Sequence, residues 1–133
     1  MKKFLKQFNL SPMMNLRFES FIFNLADKLV VGYGGGIWKT KEIDGRSILL
    51  LPVTGYVTLN NENSGTMVIT DHITASAAFT YLAINWFWNN VTDNISDDSN
   101  EKFNEVFYAL RDSVFSGKPS VKFDANAFFD FTD

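Results

Sequence analysis

The sequence predicts an α+β fold: an antiparallel sheet of about four strands in two hairpins, packed with three main helices and a short C-terminal helical turn. Apolar residues recur at helical spacing before residue 32 and after residue 71, and β-rich segments joined by short turns lie between them. With 133 residues, 46% of them hydrophobic, the chain can bury a sizeable core. We expect one domain over residues 1–133, with residues 1–11 as an N-terminal arm or a short helix.

The first main helix is predicted to begin at Ser11-Pro12, with the serine as cap and the proline at the first helical position. The apolar residues that follow share one helical face and end before Gly32; they are Phe18, Phe21, Ile22, Leu25 and Leu29.

Two hairpins are predicted next. Residues 37–43 and 47–53 flank Asp44-Gly45, a dipeptide that suits a two-residue hairpin turn. Residues 56–59 and 66–69 flank the polar loop 60–65 and form the second hairpin. Both connections are too short for a parallel crossover, so the strands should be antiparallel.

Asp71 is predicted to cap a helix over residues 72–89. The uncharged segment 72–92 is long enough to span a bilayer, but it contains several Thr and Asn residues and is bracketed by Asp instead of Lys or Arg. We therefore interpret it as a buried core helix and expect no membrane association.

The last long helix is predicted from the capping-box spacing of Asp98 and Glu101. Its apolar stripe runs through Phe103, Phe107, Leu110 and Val114 to an end at residues 117–119. The tail should add a helical turn from Asp124 through Phe128 to Phe131.

The residue inventory limits catalysis and metal binding. The chain has no cysteine and one histidine, His72, so thiol chemistry and sites with several His or Cys ligands are excluded. The glycines at 34–36 follow a helix and precede a strand, the reverse of the order in phosphate-binding loops. We expect no enzyme activity, no cofactor and no metal, with an enzyme that uses His72 as a minor alternative.

The charge is mild and unevenly distributed. Fifteen acidic residues stand against twelve basic ones, and residues 67–133 carry ten of the acids with four bases. DNA mimicry needs a dense row of negative charge, and strong direct DNA binding needs a basic stripe. Neither pattern is present. The acidic half is either an ordinary solvated surface or a docking face for a basic partner.

Two aromatic features point to packing and to contacts. Tyr33 and Trp38 flank the glycines, which predicts a tight helix-to-strand turn. Trp86, Phe87 and Trp88 are adjacent on one helix, so at least one of them should reach the surface or a shallow groove. The alternative is that they pack against the glycine turn.

The element Tyr33, Gly35, Gly36 and Trp38 resembles a pattern of the ArdB/KlcA antirestriction family. Further resemblances follow in the family's order over roughly residues 16–133. They are Gly65-Thr66-Met67, Asp71, the small-residue helix through Ala75, Ala77 and Ala78 to Asn85, Tyr108-Ala109-Leu110-Arg111, and an apolar end before Asp133. The sequence departs from the family at Asp44-Gly45-Arg46, where a Gly-Gly turn is common.

The resemblance implies a cytoplasmic protein of a mobile genetic element that relieves type I restriction of incoming DNA. It implies a non-enzymatic mechanism that is not DNA mimicry, and a protein partner: a type I restriction-modification enzyme or a host factor linked to it. The N-terminus lacks an uninterrupted apolar stretch, which also favours the cytoplasm. The alternative is a generic interaction module of a mobile element that binds another host protein.

Candidate residues follow from these hypotheses. The interaction surface is predicted at Asp124, Asp130 and Asp133, with Trp88 near them in sequence only. Changing the three acids to neutral residues should remove activity and leave the fold intact. Tyr33, Gly35, Gly36, Trp38 and Asp71 are assigned to structure.

Overall fold

The computed structural model describes residues 1–116 and 121–133 of the chain. A short helix α1 (Lys2–Leu5) and a 3-10 turn (Lys6–Phe8) precede α2 (Pro12–Leu29). The N-terminal segment is therefore a short helix packed on the domain, since Phe4 and Phe8 are fully buried. The start of α2 is as predicted, because Oγ of Ser11 accepts a hydrogen bond from the N–H of Met14 at 3.2 Å.

Four antiparallel strands follow in two hairpins, as predicted. Strands β1 (Lys39–Ile43) and β2 (Arg46–Leu50) join through Asp44-Gly45, where both residues have positive φ, as the predicted two-residue turn requires. Strands β3 (Val57–Asn61) and β4 (Thr66–Thr70) form the second hairpin. The α+β class is confirmed.

The two hairpins form two separate two-stranded sheets. The outer edge of β2 is closed by side chains instead of another strand. Gln7 exchanges two hydrogen bonds with the backbone of Ser47, at 2.8 and 2.9 Å. The next two outward N–H groups also donate to side chains. The N–H of Leu49 donates to the hydroxyl of Thr80, and that of Leu51 donates to the hydroxyl of Ser76, both at 3.1 Å. No β2 donor remains on that edge for the second hairpin.

Three helices complete the domain: α3 (His72–Val91), α4 (Asp97–Ser116) and α5 (Ala125–Thr132). Helix α3 is the central element: it packs against α2, α4, α5 and three of the strands, β2, β3 and β4, and thirteen of its twenty residues are buried. None of the helices in the described part of the chain combines the length and the hydropathy needed to cross a bilayer.

The start of α4 differs from the prediction. The predicted Asp98–Glu101 capping box is wrong, because Ser96 caps the helix: its Oγ accepts from the N–H of Ser99 at 3.0 Å. Asp98 instead accepts a hydrogen bond from Asn9 Nδ2 at 2.8 Å, which links the N-terminal segment to α4. The predicted end of this helix at residues 117–119 lies outside the described residues. The C-terminal helical turn is confirmed as α5.

The core is rich in stacked phenyl rings. Phe18 of α2 lies parallel to Phe87 of α3, with ring centroids 4.3 Å apart and an interplanar angle of 4°. Phe8 stacks on Phe103 of α4 at the same separation, 4.3 Å. Offset stacking of this kind adds to the free energy gained by burial alone. These rings join the N-terminal segment, α2, α3 and α4 into one core.

Candidate functional site

The residues of the glycine turn form one built unit between α2 and β1. Nε1 of Trp38 donates a hydrogen bond to Oη of Tyr33 at 3.3 Å. The indole is 8% exposed and lies against Phe79 of α3, with centroids 5.6 Å apart. Phe23 of α2 covers it from another side at 6.3 Å. The turn thus packs against the middle of α3, not against residues 86–88.

Gly35 and Gly36 both need glycine, for partly different reasons. Their φ angles are +91° and +120°, in the region that L side chains rarely adopt. A Cβ added at Gly36 would also lie 3.2 Å from Cβ of Pro52, whereas one at Gly35 would meet nothing within 4 Å. The structural role expected for both glycines is therefore consistent with their geometry.

Asp71 caps α3 and titrates abnormally. Its Oδ2 accepts from the N–H of Thr74 at 3.0 Å, and its Oδ1 accepts from the hydroxyl of Thr70 at 3.2 Å. Burial by itself raises the pKa of this carboxyl, but the hydrogen bonds from Thr74 and Thr70 outweigh it and lower the pKa below 3.8.

Two replacements of Asp71 are expected to separate its two contributions to stability, the helix cap and the ionised carboxylate. Alanine removes the cap and should cost about 1 kcal/mol of unfolding free energy at pH 7. Asparagine keeps an oxygen acceptor for the N–H of Thr74 and removes the ionisable group. A carboxyl with a lowered folded-state pKa contributes stability above pH 3.8 that is lost as pH falls through the folded value. Denaturant unfolding from pH 7 to pH 2 should therefore show a smaller acid loss for Asp71→Asn than for the wild type; equal losses would contradict this account.

His72 makes a structural contact. Its Nε2 lies 2.8 Å from the backbone oxygen of Leu51, and because a carbonyl oxygen only accepts, Nε2 must carry the proton. The ring thereby ties the first turn of α3 to the end of β2. Within residues 1–116 and 121–133, no group of three or more His, Asp or Glu side chains is placed to hold a metal ion.

The three candidate acids lie within α5 or at its ends but do not share one role. Asp124 caps the helix, because its Oδ1 accepts from the N–H of Ala127 at 3.1 Å. Its own N–H donates to Oγ1 of Thr74 at 2.9 Å, which fixes α5 on α3. All three acids are exposed, and Asp130 and Asp133 are three residues apart, so these two face outward together. Asp124 differs from them because it also caps the helix.

The phenol of Tyr81 has a raised pKa. Burial raises the pKa of Tyr81, the nearby Arg111 guanidinium lowers it, and Tyr108 and Asp133 raise it further. Arg111 and Asp133 therefore act on the pKa of the same phenol in opposite directions.

Trp88 lies apart from the acids in its contacts. Its Nε1 donates to Oδ1 of Asn100 at 2.9 Å, and its ring lies parallel to Phe103, with centroids 6.0 Å apart. Among the described residues, none of its ring or hydrogen-bond contacts is to α5. The sequence placed Trp88 with the acids by proximity along the chain, whereas the structure places it between α3 and α4.

Trp86 lines a groove of about 560 Å³ between α2, α3 and the β3–β4 turn. Phe21 and Leu25 contribute to its apolar lining, and Lys28 and Glu62 bring one charge of each sign. This confirms the expectation that one of the three aromatic residues at 86–88 reaches a shallow groove. The remaining lining residues are Leu29, Asn61, Asn63, Asn89 and Asn90.

Asn61, one of the lining residues, is almost completely buried, which sequence patterns did not reveal. The residue is 4% exposed, and its Nδ2 donates to the backbone oxygen of Phe131 at 3.4 Å. Its Oδ1 is buried and has no hydrogen-bond partner in the described part of the chain. An apolar lining with amide groups and balanced charges suits an uncharged polar group of a partner.

No protein-family model matches the chain, and no curated protein matches it.

Proposed function

We propose that the chain is an antirestriction protein of a mobile genetic element, which relieves type I restriction of incoming DNA through protein contacts in the cytoplasm. The partner is a type I restriction-modification enzyme or a host factor linked to it. The protein acts without catalysis and without imitating DNA.

One observation carries this proposal. The resemblance to the ArdB/KlcA family includes four residues that form one turn in this structure: Tyr33, Gly35, Gly36 and Trp38. The two aromatic side chains are hydrogen-bonded to each other, and both glycines have positive φ. The residues that carry the resemblance are therefore the ones on which this turn depends, and this supports the proposal.

The charge supports a protein partner over DNA mimicry. Fifteen acids are offset by twelve bases in the sequence, and three exposed acids lie on or next to α5: Asp124, Asp130 and Asp133. Three carboxylates cannot imitate a row of phosphates about 1.7 Å apart along a DNA axis. They can form one charged rim of a protein interface.

The test is phage plating efficiency on a type I restricting strain with and without expression of this chain. Recovered plating of unmodified phage, with modification of host DNA intact, supports the proposal. Full restriction in every type I system tested, despite soluble expression, contradicts it and favours the alternative of a generic interaction module.

The acidic surface gives a variant test. Because Asp124 caps α5, a change of all three acids would also weaken the fold, so the informative variant is Asp130→Asn with Asp133→Asn. If the pair contributes about 1.4 kcal/mol of binding free energy, affinity and plating recovery should fall roughly tenfold. The matched control is Asp27→Asn with Asp93→Asn, which removes the same charge from exposed positions elsewhere. Equal recovery by both double variants would remove α5 from the interface.

A further inference from the structure

The outer edges of the four strands differ in how they are protected from pairing with another strand. The outer edge of β2 is closed by Gln7, Thr80 and Ser76, as described above. Strand β1 carries the exposed charged residues Lys39, Lys41 and Glu42, which oppose pairing with another strand. The chain after α2 covers β3, because the N–H of Val31 donates to the backbone oxygen of Thr58 at 3.0 Å.

Among the described residues, nothing pairs with the backbone groups on the outer edge of strand β4. The oxygen of Thr58 points to Val31, away from β4, and Thr58 faces Ile69 in the register of the second sheet. In an antiparallel pair, both residues of such a position direct their N–H and C=O groups away from each other. Those of Ile69, and by the two-residue alternation those of Met67, therefore point outward. In the described structure no hydrogen bond reaches either N–H.

This edge is also apolar and uncharged. The side chains of Met67 and Ile69 are 60% and 68% exposed, and no residue of β4 is ionisable. Native proteins usually protect such an edge with charge, proline or a covering segment, and β4 contains neither a charged residue nor a proline.

We infer that β4 pairs with β4 of a second copy of this chain, antiparallel across a two-fold axis at Val68. The second copy supplies what the edge requires: an uncharged extended segment with outward backbone groups at alternate positions. No like charges meet within the paired strands. The two sheets would join as one four-stranded sheet, in the order β3, β4, and then β4 and β3 of the second copy.

The register follows from the outward groups. An axis at Val68 places Met67 opposite Ile69 of the second copy, and Ile69 opposite Met67 of the second copy. Both pairs are then of the closely hydrogen-bonded kind, so every outward N–H and C=O at these positions is satisfied. A two-fold axis at Met67 or at Ile69 would pair that residue with its own copy. The other of the two residues would then face a residue outside β4. The edge is five residues long, so the dimer should depend on protein concentration.

The test combines mass and backbone protection in the full chain. Light scattering after size exclusion, over a wide concentration range, should show a shift from 15.1 kDa towards twice that mass. Amide hydrogen exchange at Met67 and Ile69 should slow as the dimer forms. A monomer at all concentrations would overturn the inference, and so would a dimer in which these two amides exchange freely.

A matched pair of variants locates the interface. Ile69→Lys places a charge on the edge and should abolish the dimer, whereas Ile37→Lys changes an isoleucine that is 83% exposed outside β4 and should leave it intact. Circular dichroism checks that both variants are folded, and Met67→Lys replaces Ile69→Lys if that variant unfolds. Dimers of unchanged affinity in all three variants would place the interface elsewhere and overturn the inference.

Discussion

Replacing Phe18 by alanine is expected to destabilise the domain by about 3–5 kcal/mol, the largest effect of any single change considered for this chain. The ring is fully buried and lies against Phe87 at 4.3 Å, Phe4 and Phe8 at 5.6 Å, and Phe103 at 5.7 Å. Its removal leaves a cavity where α2, α3, α4 and the N-terminal segment meet, and none of these elements can close it alone.

Chemical denaturation of the purified protein measures this loss. Because small domains are stable by only about 5–15 kcal/mol, the variant should unfold at a much lower denaturant concentration or fail to fold. Phe115→Ala is the matched control, since that ring is 77% exposed and should contribute less than about 0.5 kcal/mol. Similar losses at both positions would show that the aromatic cluster does not hold the helices together.

Alanine at Gly36 is expected to cost about 2 kcal/mol or more, through two effects that act together. The φ of +120° is strained for any residue with a Cβ, and that Cβ would press against Pro52 at 3.2 Å. Trp38 is only two residues further on, so the strain should also disturb its hydrogen bond to Tyr33.

The neighbouring glycines provide controls of graded severity. Gly35 has φ of +91° with open space around it, so its replacement by alanine should cost about 1 kcal/mol from backbone strain alone. Gly34 has neither a positive φ of that kind nor a close neighbour, and alanine there should be nearly neutral. Thermal melts followed by circular dichroism give the order. Equal effects at all three positions would contradict the assignment of strain to Gly35 and Gly36.

Local signals explain what the sequence could predict. Ser11-Pro12 and Asp44-Gly45 set the start of α2 and the turn of the first hairpin through groups that lie within a few residues of each other. The apolar stripe of α2 likewise depends only on helical spacing. Each of these features depends only on residues close together in the chain, and the structure contains them at the expected positions.

Features that depend on contacts between distant segments could not be predicted from the sequence. Thr80 lies in an apolar helix and had no visible role, yet its hydroxyl completes the edge of β2. Asp124 was assigned only to an exposed acidic surface, but its carboxylate also caps α5 by accepting from the N–H of Ala127, and its own N–H donates to Thr74. The groove at Trp86 forms only where two helices and a hairpin turn meet. No periodicity along the chain reports any of these placements.

The hydroxyl and amide groups on the edge of β2 have a consequence for how the chain folds. Gln7, Thr80 and Ser76 reach β2 across sequence separations of 40, 31 and 25 residues. A two-stranded hairpin is at best marginally stable alone, and this one keeps three unpaired donors until those side chains arrive. Closing such loops costs chain entropy before any bond repays it. The first hairpin should therefore become ordered late, together with the docking of α3 and the N-terminal segment, in a single cooperative step.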